Sequence, residues 1–288
     1  MEKAEILFES YNMAVEESFN KIFASNKSHD LLNVEDETIK QHLAADLEKW
    51  ASASSVELDG MSPVDYFNSI EDIAQLIELF ELAAKLCDND IPDPLLDRLK
   101  TFNKAAIDEL LGLAADERFL YDEEDQIVSV MAIKTIGKWE AVSTLEPLLK
   151  LLFELKEDNE IVIEEILSTM IQFGSSAAGR IIEILDESST IGNIEEYLLD
   201  TLVKLGVNQK DKSLYDLIFR TIKSVFSKMD NKLFGAICLG NFGDGRAIPA
   251  LRGFVEKNKD TIDYETFMEI KSSIHRLGGN MDDIEIHF

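Results

Sequence analysis

The chain has 288 residues, 45% of them hydrophobic, with 14 glycines and 5 prolines. That is enough apolar content for a sizeable core and excludes a disordered or collagen-like chain. Acidic side chains outnumber basic ones 56 to 28, a formal charge of −28, which disfavours phosphate backbones and anionic membranes as partners.

The N-terminus begins Met1-Glu2-Lys3-Ala4-Glu5. It lacks the basic start and apolar run of a signal peptide, and no apolar run approaches the ~20 residues that span a bilayer. A soluble, cytoplasmic protein is expected. Periodicity is helical almost throughout. Residues 2–24 place Ile6, Met13, Val15, Phe19, Ile22 and Phe23 near helical spacing. Asn33 to Glu37 and Ser52 to Gly60 read as loops. Ser62-Pro63 sets a hydroxyl at an N-cap with proline following. Residues 70–87 form one amphipathic helix, and Asp88 to Pro94 turn the chain into the next. Residues 1–102 therefore read as a helical N-terminal cap with one degenerate repeat.

From residue 103 onward a repeat emerges. Glycines 137, 174, 206, 243 and 278 each follow an apolar periodic run, where a helix C-terminus favours left-handed geometry. Their spacings are 37, 32, 37 and 35 residues, the period of an α-solenoid with two helices per unit. Four columns precede each glycine. One residue before it stand Ile136, Phe173, Leu205, Phe242 and Leu277, and four before stand Ile133, Met170, Leu202, Leu239 and Ile274. Five before stand the small residues Ala132, Thr169, Thr201, Cys238 and Ser273, and eight before stand Ser129, Ile166, Leu198, Gly235 and Ile270. These offsets share one helix face, and the small column permits close approach of a partner helix. Between the glycines, Ser143-Thr144-Leu145-Glu146 fits a capping box and Asp244 can cap the segment from Gly245.

The run Leu239-Gly240-Asn241-Phe242-Gly243-Asp244-Gly245-Arg246-Ala247-Ile248-Pro249-Ala250-Leu251 resembles the signature of bacterial HEAT-like repeats, the kind shared with phycobilisome lyases. The resemblance covers about residues 103–280; the copies at 137 and 206 lack the Asp and Pro. It implies an all-α fold, an α-α superhelix of antiparallel helix pairs, with residues 103–288 forming the repeats. It specifies fold and not chemistry.

Residues that could carry chemistry are sparse. Paired carboxylates such as Glu123-Glu124-Asp125 follow from composition. His29, His42, His275 and His287 form no metal-binding spacing, and a tail grouping of His287 with Asp282, Asp283 and Glu285 reads as a frayed terminus. Cys87 and Cys238 are too few for a disulfide framework and read as apolar fillers. Gly240 to Gly245 is not a nucleotide-binding fingerprint. Neither a metal nor a cofactor is expected.

Charge is uneven. Residues 1–200 hold 44 acids and 15 bases, a balance of −29, whereas 201–288 are near neutral. Lys204, Lys210, Lys212, Arg220, Lys223, Lys228 and Lys232 cluster with only Asp211, Asp216 and Asp230 among them. This run reads as a solvated helix face, or as a docking patch for an acidic partner.

Positions three, six and ten before each glycine point away from the buried face. By the HEAT-like resemblance they line a concave surface. There Ile127, Met131, Ile171, Val203, Leu233, Ile237 and Met268 are apolar, with Glu164, Glu196 and Asp200 as an acidic rim. The expected function is non-catalytic binding of a protein or peptide, basic or amphipathic, on that face. A repeat-groove enzyme resembling a DNA-base glycosylase or a bilin lyase, and a self-associating structural protein, are the alternatives.

Overall fold

The computed structural model describes residues 2–25, 36–88, 90–207, 209–284, 286 and 288. Among them the chain forms sixteen α-helices and no strand. Packing sorts it into two compact units, Met1–Ile136 with Asp158–Val162, and Gly137–Glu157 with Ile163–Phe288. The expected boundary near residue 102 falls inside the first unit.

The first unit contains α1 (Glu2–Ser25), α2 (Asp36–Ser52), α3 (Pro63–Asn68), α4 (Ile73–Leu86), α5 (Asp93–Lys100), α6 (Lys104–Ala114), α7 (Glu117–Leu120) and most of α8 (Gln126–Lys138). Asp36 and Glu37 open α2 rather than ending a loop; Asn33 and Glu35 lie outside the described residues, as do His29, Glu285 and His287. α1 packs on α2 and α4, and its buried stripe is Ala4, Leu7, Phe8, Tyr11, Val15, Ser18 and Ile22. Ile6, Met13 and Phe23 stay exposed, because α1 carries apolar residues on more than one face and only the face toward α2 and α4 is covered. The Trp50 indole donates to Ser10 Oγ at 3.0 Å and meets the Tyr11 ring edge-on, which fixes α2 against α1. Ser62 caps α3 as its sequence suggests, accepting from the Asp65 amide at 3.2 Å ahead of Pro63. Asp72 caps α4 by accepting from Ala74. Gln126 and Asn159 both donate to the Leu120 carbonyl, satisfying the free end of α7.

The second unit contains α9 (Leu145–Glu154), most of α10 (Glu160–Phe173), α11 (Ser175–Glu187), α12 (Asn193–Val207), α13 (Lys212–Lys228), α14 (Lys232–Phe242), α15 (Ile248–Lys257) and α16 (Tyr264–Arg276). From α11 onward, packing joins helices one or two apart in sequence. α11 packs on α12 and α13, α12 on α13 and α14, α13 on α14, and α14 and α15 both on α16. The columns read from sequence describe the core. All five residues four before the glycines 137, 174, 206, 243 and 278, and all five residues five before, are buried. Leucines 205 and 277 are half-buried, and the rest of the one-before column is buried.

The five glycines read as helix ends divide into two kinds. Gly174, Gly243 and Gly278 have φ of 60°, 81° and 82°, a conformation that strains other residues. Gly137 and Gly206 instead lie inside the last turns of α8 and α12. A side chain at 206 would collide with the Phe242 ring and Ile218, so absence of bulk is what that position requires.

The capping box at 143–146 does not form. Residues 142–144 make a 3₁₀ turn, the Thr144 hydroxyl donates to Ala141 O at 2.8 Å, and Glu146 pairs with Arg180 at 2.8 Å. Asp244 does cap, accepting from the Arg246 amide at 2.9 Å while its carboxylate holds the Arg246 guanidinium at 2.6 Å.

Candidate functional site

The basic run of 204–232 is largely spent on the fold. Lys228 donates to the carbonyls of Leu185 and Ser188 at 2.6 and 2.8 Å, closing the C-terminus of α11. Lys232 does the same for α13 through Phe226 O at 2.6 Å, with its ammonium over the Phe226 and Phe254 rings. Lys204 pairs with Asp200 at 2.8 Å, and Arg220 donates to Asp216 O.

The candidate partner-binding residues do not all reach the surface. Met131 is only 8% exposed and Val203 only 3%, so neither offers a surface to a partner. For Val203 the physical reason shows in the equivalent position on α14. Val203 stands three before Gly206, and Gly240, three before Gly243, faces Ser273 and Arg276 of α16, whereas Ile171 and His275 at the same offset stay exposed. Ile127 is half-buried and belongs, with Met131, to the first unit. The remaining seven lie in the second unit on α10, α12, α14 and α16. Glu164, Ile171 and Met268 are exposed, and Glu196, Asp200, Leu233 and Ile237 are half-buried.

The best-defined part of this face joins α12 to α14. Glu196 and Asp200 stand one helical turn apart on α12. Asn231 accepts from the Phe234 amide, which caps α14, and donates its own amide to Glu196 at 3.1 Å. Glu196 is thus held at the start of α14, the helix carrying Leu233 and Ile237. Sequence reasoning did not single out Asn231; an Asn directly before a helical run is the signal that marks it.

The same carboxylates bear on Cys238. Burial, with Asp200 and Glu196 adding, pushes its thiol up to about 12. Burial and Asp88 push Cys87 to about 12 as well. Both thiols are protonated at neutral pH, the reverse of an activated nucleophile. Among the described residues no group of His, Cys, Asp and Glu is arranged to hold a metal ion, and no helix is long and apolar enough to cross a membrane. Comparison with protein-family models, curated proteins and solved structures finds no match to this chain.

Proposed function

We propose that the second unit is a HEAT-like α-solenoid that binds a protein or peptide along the face of its second helices, without catalysis of its own. The observation that carries the reading is the juxtaposition on α12 and α14. An acidic pair, Glu196 and Asp200, stands beside two apolar side chains, Leu233 and Ile237, that the fold leaves half-exposed. Ile171 and Met268, at 37% and 43% exposure, extend the apolar character onto α10 and α16. Apolar floor and acidic rim favour a basic, amphipathic segment, which the rim attracts and the floor desolvates. The packing of helices one or two apart from α11 to α16 supports the solenoid reading.

The test compares the native chain with an Ile171→Asp, Ile237→Asp variant in affinity capture, with a thermal melt to verify folding. The reading expects a stoichiometric protein to be retained by the native chain and lost by the folded variant. Equal retention by both removes this face from the account.

A further inference from the structure

α4 in the first unit carries more apolar surface than its core uses. Leu76, Ile77, Phe80, Ala83 and Ala84 are buried and satisfy one stripe. Leu79 and Leu82 lie outside that stripe and are half-buried. Together with Tyr66 and Ile70 they floor a groove of about 610 Å³ that follows α4 from Gln75 to Lys85. That length of helix spans about 15 Å, close to three turns. A helix facing a single core needs one apolar stripe, so the second stripe wants a second neighbour.

The rim says what kind. Glu78 and Glu81 border the groove, and the cations nearby are committed elsewhere. Lys85 pairs with Asp125 at 2.6 Å, and Arg118 holds Asp116 at 2.7 Å while approaching Glu81 only to 3.9 Å. Glu78 has no cationic partner among the described residues. Burial raises the Glu81 carboxyl above its ordinary range, Asp116 and Glu78 raise it further, and Arg118 and Lys85 offset this only in part. The rim is short of positive charge. A second copy of this chain or an anionic membrane would bring more negative charge to a region where residues 1–136 hold 30 acids and 11 bases.

We propose that the groove along α4 docks a basic amphipathic helix of a partner protein, about three turns long. Its apolar side chains at i, i+3 or i+4, and i+7 seat against Leu79, Leu82 and Tyr66. Its lysines or arginines meet Glu78 and Glu81. The site lies in the first unit and is independent of the face proposed above.

The probe is a labelled model helix of leucine and lysine in that pattern, with a leucine–glutamate helix as control. Binding to the full chain is followed by anisotropy and by leucine-methyl NMR. Glu78→Lys changes an exposed residue and leaves the core intact; Leu82→Ser removes part of the floor. The proposal expects each to weaken binding of the leucine–lysine helix about tenfold or more, with methyl shifts at Leu79 and Leu82. It expects the Ile171→Asp, Ile237→Asp variant to bind as the native chain does. Undiminished binding by both groove variants overturns the proposal. So does equal binding of the leucine–glutamate helix, or a dimer of the native chain that Leu82→Ser dissolves.

Discussion

Gly206→Ala probes how closely α12 and α14 pack. Gly206 is buried near the end of α12, and an added Cβ would overlap the Phe242 ring and come within 2.9 Å of Ile218 Cγ2. The ring has no room to yield. It is 4% exposed and hemmed by Tyr215 and Phe219, with centroids at 4.8 and 6.0 Å. Overpacking of this kind costs about 1–3 kcal/mol. The gain in helix propensity on replacing glycine by alanine returns at most about 1 kcal/mol, and less in a final turn. The net expectation is a loss of about 1–2 kcal/mol, a fall in melting temperature of roughly 3–6 °C. Gly112→Ala is the control. Gly112 is exposed in α6 with nothing within 4 Å of the added carbon, so the same substitution is expected to stabilise by about 0.5–1 kcal/mol. Paired thermal and denaturant melts check both signs. A Gly206→Ala chain as stable as the native one would refute the close packing of α12 on α14.

Three further predictions rest on other parts of the fold. Ala132 is fully buried in the small column, so Ala132→Leu is expected to destabilise by about 1–3 kcal/mol in a thermal melt. The Asp244 carboxyl is held below its ordinary range chiefly by hydrogen bonds from the Arg246 side chain. Its folded pKa lies below its unfolded one, so the stability it contributes is present above the usual carboxylate range, about 4, and is lost as pH falls through the lowered value. Asp244→Asn keeps a capping side chain and removes the charge; the stability gap to the native chain should be widest near neutral pH and close in acid. Finally, burial keeps Cys87 and Cys238 protonated, so iodoacetamide at mildly alkaline pH should modify neither in the native chain and both in denaturant, as read by mass spectrometry.

The residues that define the helix cores of the second unit were legible because burial and helical period coincide there. The columns four and five before each of the five glycines are buried throughout. Where an element has apolar residues all round, the period alone does not choose a face. In α1 the covered face runs through Leu7, Tyr11 and Ser18, leaving Ile6 and Met13 in solvent. Glycine is ambiguous in a similar way. Gly243 and Gly206 occupy equivalent places in the pattern, yet one supplies a left-handed turn and the other a gap for Phe242. The capping box at 143–146 gave way to a 3₁₀ turn over 142–144, with Glu146 paired to Arg180. The candidate face was half legible. The positions six and ten before the glycine stay at least partly open on α10, α12, α14 and α16. On α12 and α14 the position three before is buried where α12 packs on α14 and α14 on α16, which removes Val203. That contact depends on tertiary geometry and leaves no local mark.

Zero-length carbodiimide cross-linking in native lysate, read by mass spectrometry, tests the central claim most directly, because it joins carboxylates to amines that already touch them. If a basic segment lies along the second-helix face, Glu164, Glu196 or Asp200 will be linked repeatedly to lysines of one protein, and the links will vanish with Ile171→Asp, Ile237→Asp. Links confined to other carboxylates of the chain, or links at these three that survive the substitutions, would contradict it.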